Sequence, residues 1–563
     1  MNVKQIGLLI ILCFFINSGL NSQTIEWTRV LAGQQEEYGN AICIDNNNNV
    51  INTGSFQGIC YGGTFALASL GSTDIFIEKL SPTGAVLWTR QYGGSGADNG
   101  FSVVTDSENN IYLAGIFTGT INFGNGTLTS TSSSTTSNFF VIKLDSNGTV
   151  LWRKAIPGSR THRPKLHIDN TDKLYLTGIF FGERTFGTTT IDSDDGIAFL
   201  TRLNRFNGDV IWVTQYGSGT SFNGTPVVIN NTTTNVSSDT SGNLYVTGSF
   251  KDHGRFGNQN IISSPLNNNA YIMKVNSLGA VLWTKVYTGD TKGTSIVVDS
   301  NDSIYVAGNY FGNVTINNIN YSASPTYYSI FLQKLNANGD VIWFKNYDVK
   351  TSSPNDVTVQ LAVSNNNTIL LKSLFANTIQ FENQTFTSLI STNPNVVKPQ
   401  ILALYNSDGE NLWVNQYENP NDNIQFGIAP DKTTNIALSN DAIFFTSGSS
   451  RFNGISYSLE SGSNIFTAKL GLPQTLNAPF YEIDNVTFNV FPNPTTGKIN
   501  LKLHKKYDTV KVATYNIFGQ LLDNLTFSNT DAILFDLVTV ATGTLLIEVE
   551  VDGKKVIKKI IKL

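Results

Sequence analysis

Residue types that usually supply disulfides, metal ligands and nucleophiles are scarce in this sequence of 563 residues, which has three Cys, two Met and four His. Cys13 lies in an apolar N-terminal stretch, so only Cys43 and Cys60 remain. They could pair in an oxidising compartment, although hairpin register does not obviously place them opposite each other. Two cysteines and scattered histidines cannot complete a tetrahedral zinc site of the usual spacing. We therefore predict that the protein has no metal and no cofactor.

Charged residues are also few, at 14% of the chain, and the formal net charge is −5. Residues 486–563 contain ten Lys against seven acidic residues, so the remainder is more acidic than the whole chain. A protein of this charge lacks the basic field that attracts nucleic acids and anionic membranes. The sequence therefore excludes nucleic acid as an expected partner.

Long apolar runs are absent after the N terminus. Residues 1–22 have a cationic start at Lys4, an apolar stretch from Ile6 to Ile16 and a short polar exit. Because this stretch is too short to span a bilayer, we predict a secretory signal peptide, with Gln23 as the first mature residue. No membrane insertion is expected in the rest of the chain.

What the sequence does contain is a repeat marked by a rare residue. Its seven tryptophans lie 60 to 71 residues apart, at the same point of a recurring segment such as Val86–Gly94 (VLWTRQYGG) or Val281–Gly289 (VLWTKVYTG). A rare, large residue at a near-fixed period indicates a repeat architecture. We expect the indoles to fill equivalent gaps between repeats rather than to bind a ligand. These structural residues are Trp27, Trp88, Trp152, Trp212, Trp283, Trp343 and Trp413.

Three further apolar runs precede the tryptophan run within each repeat. One ends in Gly-x-Phe, as in Ile111–Phe117, one ends near Lys-Leu, as in Phe139–Leu144, and one precedes the Gly-x-Phe run. All are short, rich in Val, Ile, Phe and Tyr, and bounded by Gly, Asn, Asp and Ser, which indicates antiparallel strands. Four strands per unit and seven units predict an all-β fold, a seven-bladed β-propeller over residues 23–471.

The two ends of the repeat region predict how such a ring closes. The first unit starts at a tryptophan strand, Ile25–Val30, whereas the last unit ends at Ile465–Leu470 with no tryptophan strand after it. The N-terminal strand is therefore expected to complete the last blade, because this leaves neither end as an exposed sheet edge.

A different pattern follows a Pro-containing linker at residues 472–485. Residues 486–563 alternate apolar residues with Gly and Asp turns, which predicts a small Ig-like β-sandwich of about seven strands. The segments FPNPTTG (Phe491–Gly497) and YNIFGQ (Tyr515–Gln520), a late glycine and a lysine-rich end resemble the type A C-terminal sorting domain of the type IX secretion system of Bacteroidetes. The residues that carry this motif are Pro492, Asn493, Pro494, Gly497, Gly519 and Gly543.

The resemblance implies a route out of the cell. It implies passage through the periplasm, recognition of the domain by the type IX secretion machinery at the outer membrane, and removal of the domain on export. The mature protein would then be released or fixed to surface lipopolysaccharide. Family members usually have an aromatic residue two positions after the late glycine, where this chain has Leu545.

The upstream repeats are similar to the bacterial β-propeller repeats abbreviated SBBP. The similarity lies in the D-x-x-x-N-x-Y-x-x-G segment and the G-x-x-x-W strand, and it covers roughly residues 23–471. It supports the fold but implies no activity, because one fold hosts many functions.

Catalytic and metal-binding motifs are not evident. The sequence has no G-x-S-x-G nucleophile elbow and no phosphate-binding glycine loop before a helix. The runs Asp45–Val50 and Asp106–Ile111 suggest calcium loops, but their sixth position already belongs to the next strand and no glutamate follows at position twelve. We favour hairpin turns, because Asp and Asn cap tight turns and tolerate left-handed backbone.

Loop lengths predict which surface binds a ligand. Connections from the second to the third strand, such as Thr118–Asn138, and from the fourth strand into the next unit, such as Ile156–Pro164, are long and diverse. Up-and-down strand order places both sets on one face, where a rigid scaffold would present a binding surface. The charged and aromatic residues there are the candidate ligand contacts: Arg160, His162, Arg163, Arg184, Asp252, His253, Arg255, Tyr327 and Tyr328.

These observations favour a secreted or cell-surface binding or adhesion module whose ligand is a glycan or a protein. The alternative is an extracellular carbohydrate-active enzyme, a hydrolase or a lyase, on the same face. Paired carboxylates about 5–10 Å apart in a cleft would favour hydrolysis. A structural surface-layer component without a discrete ligand is a third reading, and no catalytic residue is assigned.

Overall fold

The computed structural model of the protein describes residues 25–33, 35, 37–62, 65–130, 138–157, 163–191, 197–217, 232–264, 266–316, 319–322, 327–349, 357–375, 377–382, 384–387, 399–417, 435–448, 451–452, 455–456, 465–472, 488–491, 495, 497–516, 521–537, 540, 543–552 and 554–562. Throughout these residues the regular structure is β-strand, which confirms the all-β class. The chain forms two compact units, Met1–Gln474 and Thr475–Leu563. The predicted signal peptide lies outside the described residues, and the predicted domain boundaries stay predictions.

The first unit is built from antiparallel sets of four strands, which we call modules 1 to 7. Most modules also have a two-stranded hairpin between their second and third strands, which we call the strap. The four strands of modules 2 to 6 follow one another along the chain, and β25 serves both as the last strand of module 4 and as the first strand of module 5. The strands are, in module 1, β2 (Tyr38–Ile44), β3 (Val50–Phe56), β6 (Asp74–Leu80) and β7 (Val86–Gly94) with strap β4 (Ile59–Tyr61) and β5 (Ala66–Ala68); in module 2, β8 (Asn99–Thr105), β9 (Ile111–Phe117), β12 (Asn138–Leu144) and β13 (Val150–Ile156) with strap β10 (Thr120–Asn122) and β11 (Thr127–Thr129); in module 3, β14 (Lys165–Ile168), β15 (Leu174–Phe180), β18 (Ile197–Leu203) and β19 (Val210–Gly217) with strap β16 (Arg184–Phe186) and β17 (Thr189–Ile191); in module 4, β20 (Thr232–Ser238), β21 (Leu244–Phe250), β24 (Asn269–Val275) and β25 (Val281–Val298) with strap β22 (His253–Phe256) and β23 (Gln259–Ile262); in module 5, β25, β26 (Ile304–Ile316), β28 (Tyr328–Leu335) and β29 (Val341–Val349) with β27 (Ile319–Ser322); in module 6, β30 (Thr358–Val363), β31 (Ile369–Leu374), β34 (Gln400–Tyr405) and β35 (Asn411–Tyr417) with strap β32 (Thr378–Phe381) and β33 (Gln384–Thr387); and in module 7, β36 (Asn435–Leu438), β37 (Ala442–Gly448), β40 (Ile465–Gly471) and β1 (Ile25–Gly33) with β38 (Arg451–Phe452) and β39 (Ile455–Ser456).

The N-terminal strand β1 completes the last module, as the sequence predicted. It pairs antiparallel with β40, with Trp27 opposite Lys469 and Val30 opposite Phe466. The first strands of successive modules contact each other in chain order, and β36 of module 7 contacts β2 of module 1. The contacts between modules therefore return to their starting point.

The core lies in the middle strands of each module. All residues of β3, β6, β9, β12, β15, β21 and β24 are buried, which explains their nearly continuous runs of Val, Ile, Phe and Tyr. Fourth strands, such as β7, are only half-buried. The Gly-x-Phe signature has a steric cause, because a Cβ on Gly115 would lie 1.9 Å from the backbone oxygen of Asn99 and 2.6 Å from the ring of Phe140.

Five of the tryptophans join their own module to the next one through a hydrogen bond. The indole Nε1 of Trp27 donates to the Pro82 carbonyl at 3.0 Å, and that of Trp88 donates to the Ser146 carbonyl at 3.1 Å. Trp152, Trp212 and Trp343 make the same bond to the third-to-fourth turn of the following module. These contacts support the prediction that the indoles fill equivalent gaps between repeats.

A bulge and a glycine fit the indole into this position. The strand register shifts at the residue before the tryptophan in all of the modules, so that the bulged strand turns the indole towards its neighbour. The neighbouring turn has a glycine with positive φ against the ring: a Cβ on Gly84 would lie 2.7 Å from Trp27, and one on Gly279 would lie 2.9 Å from Trp212. The tryptophan ring and this glycine therefore pack directly against each other.

The Asp/Asn runs are hairpin turns between the first and second strands. In the first of them, Asp45 Oδ1 accepts the backbone N–H groups of Asn47 at 2.9 Å and Asn49 at 2.8 Å, and Asn48 adopts a φ of 59°. The same turns link modules, since the backbone N–H of Asn46 donates to Asn109 Oδ1 at 2.9 Å. Equivalent bonds join Ser107 to Asp172, Thr240 to Asp302, Ser300 to Asn367 and Asn366 to Asn440.

The long second-to-third connections are more regular than their sequences suggest. In several modules the strap pairs with the fourth strand of the preceding module: Ile121 lies opposite Gly94, Phe256 opposite Tyr216, and Ile379 opposite Val349. The inward side chains of the straps, such as Phe123 and Phe186, are buried. Among the described residues, these connections therefore mainly link neighbouring modules, through strand pairing and buried side chains.

The two remaining cysteines are free thiols and do not form the disulfide that the sequence left open. Cys43 lies on β2 opposite Ile51, whereas Cys60 lies on β4 opposite Gly33. Burial raises the pKa of both thiols, so both are protonated at neutral pH.

The second unit contains five described strands in one hydrogen-bonded sheet, where the sequence predicted about seven. The number is smaller because two strands are long and continuous. The strands are β41 (Phe488–Phe491), β42 (Lys498–Asn516), β43 (Leu521–Asp536), β44 (Gly543–Val551) and β45 (Lys554–Lys562). Their core includes Val510, Val512, Ile547 and Val549, and Leu545, which replaces the usual aromatic, is buried among them.

Two buried carboxyl groups lie side by side between modules 1 and 2. A parallel bridge between Thr73 and Ala97 places Asp74 and Asp98 next in register, and both are fully buried. Asp74 Oδ2 accepts from Gln91 Nε2 at 2.8 Å, and the second oxygens, Asp74 Oδ1 and Asp98 Oδ2, have no hydrogen-bond partner among the described residues. Burial raises the pKa of both groups, and together with the nearby Asp74 carboxylate it raises the pKa of Asp98 to about 7. The pair therefore retains a proton near neutral pH.

Two glycine substitutions should distinguish the energetic cost of disturbing the indole contact from the cost of backbone strain. Gly119 has a φ of 68° and nothing within 4 Å of an added Cβ, whereas Gly84 has a φ of 83° and faces Trp27. Gly119→Ala should cost about 1 kcal/mol of unfolding free energy through positive φ alone. Gly84→Ala should cost a further ~2 kcal/mol because the indole must shift. Denaturant unfolding of the purified chain measures both, and equal losses in the two variants would contradict the paired contact.

The pH dependence of stability should depend on Asp98. In an unfolded chain the pKa of Asp98 is its ordinary value of 3.8, whereas in the folded protein its pKa is about 7. The folded state therefore binds more protons between these limits, so its stability falls by about 1.4 kcal/mol per pH unit as the pH rises through that window. Asp98→Asn should remove this slope, and the surface variant Asp209→Asn should keep it. Melting curves from pH 5 to 8 test this, and parallel profiles for Asp98→Asn and the unmodified protein would refute it.

Candidate functional site

An open polar cavity of about 330 Å³ lies where the strap of module 6 meets the last strand of module 5. We call it the Lys345 groove. Its β29 side is formed by four consecutive residues near the end of the strand, and its other side is the tip of the β32–β33 hairpin. The lining residues are Lys345, Asn346, Tyr347, Asp348, Gln380 and Glu382.

A charged pair and a phenol hold the hairpin tip in the groove. Glu382 has a φ of 51° at the turn, and its Oε1 lies 2.9 Å from Lys345 Nζ. The hydroxyl of Tyr347 donates to the same oxygen at 2.8 Å and lies 2.7 Å from the hydroxyl of Tyr405. The ring of Tyr347 stacks on Phe381, with centroids 3.9 Å apart and an interplanar angle of 9°. Lys345 and Glu382 are partly exposed, so both remain within reach of a ligand.

Burial fixes the protonation of the two phenols. It raises the pKa of Tyr347, with further contributions from Tyr405 and the Glu382 carboxylate, and it raises the pKa of Tyr405 as well. Both hydroxyls are therefore hydrogen-bond donors at any physiological pH. The groove combines an ammonium group, two carboxylates and two carboxamides around a rigid aromatic floor, and this set can bind a ligand rich in hydroxyl groups.

One histidine contacts a serine in the first unit. The Nε2 of His167 on β14 lies 2.8 Å from the Oγ of Ser238 on β20, and burial lowers the pKa of the imidazole to about 4. The nearby Asp169 binds the hydroxyl of Tyr175 and the N–H groups of its own turn. The imidazole therefore has no carboxylate partner in these contacts, and the pair links the first strands of two modules.

The described site residues that the sequence predicted belong to several different modules. Arg160 and His162 lie outside the described residues. Arg163 lies over the ring of Phe101, 4.9 Å from its centroid, and Arg184 lies on the strap of module 3. They remain predictions as ligand contacts.

Two of the predicted residues are in direct contact. Asp252 Oδ1 lies 2.9 Å from His253 Nδ1 at the base of the module 4 strap. Arg255 lies on the same hairpin with its side chain exposed, opposite Gly217 of module 3. Asp252, His253 and Arg255 therefore lie at the same strap, and they remain predictions as ligand contacts.

The two tyrosines of module 5 differ from each other. Tyr327 is exposed, but Tyr328 is buried, and its ring packs 5.1 Å from that of Phe311. Burial beside Asp290 raises the pKa of Tyr328 to about 12. Tyr328 starts strand β28 and therefore contributes to the core in this position.

The Lys345 groove was missed because its two sides are distant in sequence. Glu382 follows Lys345 by 37 positions, and only the pairing of Ile379 with Val349 brings them together. The available signals were an Asn-Tyr-Asp run at the end of the tryptophan strand of module 5 and a Phe-Glu turn in the second-to-third connection of module 6.

The sorting motif forms a turn at one end of the second unit. Thr495 Oγ1 donates to the Lys498 carbonyl and accepts from the Gly497 N–H, both at 3.0 Å. The Gly497 carbonyl accepts from Leu537 N–H at 2.6 Å, and Thr495 forms a parallel bridge with Lys562. Gly497 needs its glycine because its φ is 147°. The motif thus ties the start of β42 to the ends of β43 and β45.

Of the remaining motif residues, only Gly543 belongs to the described part of the chain. Pro492, Asn493, Pro494 and Gly519 lie outside the described residues. Gly543 begins β44 with a φ of 136°, and nothing lies within 4 Å of an added Cβ there. Its requirement for glycine is therefore one of backbone conformation.

Comparison with known families gives two matches. Residues 489–563 match the family described as the secretion system C-terminal sorting domain. Residues 87–115 match the family described as the beta-propeller repeat, abbreviated SBBP. Both resemblances inferred from the sequence motifs are confirmed.

Individual relatives are distant. An uncharacterized WD repeat-containing protein of Acanthamoeba polyphaga mimivirus is 25% identical over 428 residues, which cover 62% of this chain and 30% of the relative. The chain thus spans under a third of the length of that protein. Virginiamycin B lyase from Staphylococcus aureus has a TM-score of 0.36 and 8% identity, covering 79% of this chain and 98% of that chain. A protein of unknown function from Bacteroides caccae has a TM-score of 0.29 and 12% identity, covering 63% and 92%.

The C-terminal match also gives the destination. Such a domain implies recognition by the type IX secretion machinery and export to the cell surface or secretion. In the part of the chain that the structure describes, no helix is long and apolar enough to cross a membrane. The chain therefore contains a segment that matches the SBBP β-propeller repeat, at residues 87–115, and a C-terminal segment, residues 489–563, that matches the secretion system sorting domain.

Proposed function

We propose that this protein is an exported seven-bladed β-propeller that binds a glycan or protein ligand at the cell surface or after release. The seven modules would be the blades, and the second unit would be an Ig-like domain that is removed on export. Support for the ring comes from the pairing of β1 with β40 and from first-strand contacts that return to module 1. A scaffold closed in this way holds surface groups in fixed positions.

The observation that carries the binding proposal is the Lys345 groove. Its donors and acceptors are held by packing, because Tyr347 stacks on Phe381 and Glu382 is fixed by two bonds. A preorganised polar site loses less entropy when it binds than a mobile loop does. Ammonium, carboxylate and carboxamide groups together match the hydroxyl groups of a sugar, and the volume suits one or two sugar rings.

Binding through the groove can be measured directly. The purified exported protein, applied to an array of soluble oligosaccharides, should retain a subset of them. Lys345→Met and Glu382→Gln should each weaken that binding about tenfold, the loss of roughly one charge-assisted hydrogen bond. Titration calorimetry with the best oligosaccharide measures the change.

The control is a second surface ion pair in another module. Lys154 and Asp209 lie 2.6 Å apart and are exposed, so Lys154→Met removes a similar pair away from the groove. It should leave oligosaccharide binding unchanged. If the groove variants bind as tightly as Lys154→Met does, the ligand is held elsewhere and the groove is not the binding site.

Export should require the C-terminal domain. A chain that lacks residues 486–563 should accumulate in the periplasm, because the segment recognised by the secretion machinery is missing. Immunoblots of periplasmic, surface and culture fractions test this, with the full chain as the reference. Normal amounts of the shortened chain outside the cell would contradict the role of the domain.

A further inference from the structure

The two outer strands of the sorting-domain sheet differ in their protection. Among the described residues β43 pairs only with β42, whereas β45 pairs with β44 and also forms a single bridge from Lys562 to Thr495, so most of each outer edge is unpaired. Natural sheets usually protect such edges with lysines, prolines or bulges, because an open edge recruits other strands. The composition of the two strands therefore indicates which edge can accept another strand.

Strand β45 is protected and β43 is not. The nine residues of β45, KKVIKKIIK, include five lysines, a composition that opposes the approach of another strand, although Lys562 is buried and donates to the Val540 carbonyl. The 16 residues of β43, LLDNLTFSNTDAILFD, contain no Lys, Arg, Pro or Gly. The outer edge of β45 is rich in cations, whereas β43 has none, and its pairing with β42 keeps one register from Asp523 to Thr530, between register shifts at Leu522 and Asp531.

Exposed leucines follow the open edge. Leu521 is 50% exposed, Leu525 44% and Leu534 65%, although each belongs to a regular strand. Most other residues from Leu521 to Thr530 are exposed as well. Aliphatic side chains beside an unpaired backbone provide the two elements of strand addition, main-chain hydrogen bonds and contacts for alternate side chains.

We propose that the outer edge of β43 is the surface by which the sorting domain docks on the secretion machinery, and that an extended strand of a machinery protein pairs with it. The partner strand should be neutral or basic, because the charged residues of β43 are Asp523, Asp531 and Asp536. A second copy of this chain fits less well. Antiparallel self-pairing centred on Phe527 would place Asp523 opposite Asp531, and like charges in that arrangement repel.

The first test introduces a charge on the open edge of the full-length chain. Leu525→Lys should lower the amount of surface and secreted protein about tenfold and raise the periplasmic amount, because a lysine opposes pairing with a basic strand. The control is Leu278→Lys, at a leucine of the first unit that is 77% exposed, and it should be exported normally. A melting curve of the purified Leu525→Lys chain shows that the domain still folds. Normal export of Leu525→Lys overturns the proposal.

The second test leaves the edge chemistry almost unchanged. A photo-crosslinking phenylalanine analogue at position 525 should capture an envelope protein during export, whereas the same analogue at position 558, on the lysine-rich edge, should not. Capture from position 558 alone would assign docking to β45 and overturn the proposal. Capture of a second copy of this chain at position 525 would also overturn it, in favour of self-association.

Discussion

The first unit depends on a contact between an indole and a glycine turn. In five modules the tryptophan extends beyond its own sheet, where Nε1 reaches a carbonyl of the next module and the ring covers a turn glycine. The bulge before the tryptophan makes this reach possible, and positive φ at the glycine brings the turn close enough. Because the tryptophan belongs to the outer strand, one contact both covers that strand and fixes the angle between neighbouring modules.

The straps add a second connection and create the candidate site. A strap leaves its own module, pairs with the outer strand of the preceding one and buries an aromatic side chain there. In module 6 the tip of the strap brings Glu382 to Lys345 of module 5, so the groove exists only between modules. Binding groups are held by the same pairing that stabilises the scaffold, and this explains how a connection of variable sequence can still have a fixed geometry.

Sequence patterns predicted the features that repeat. The period of the tryptophans gave the outer strand, the Lys-Leu runs gave the buried third strand, and the unpaired end strands gave the pairing of Ile25–Gly33 with Ile465–Gly471. Patterns could not reveal features that occur once. Asp74 and Asp98 come together through a single parallel bridge, and Tyr328 is buried at the start of a strand that begins two residues before the apolar run Ile330–Leu335. Such contacts depend on pairings between distant segments, and neither segment has a sequence pattern that identifies its partner.

The position of β1 in the last module determines when the first unit can finish folding. Its strand is synthesised first, but its partner β40 is among the last parts of the unit to be made. Pairing between segments so far apart in sequence is slow, because loop closure must precede the contacts that stabilise it. A nascent or truncated chain therefore keeps Trp27 and one sheet edge open to chaperones and proteases. The pairing of β1 with β40 therefore cannot form before the polypeptide has been translated through Gly471, shortly before the segment that matches the sorting domain.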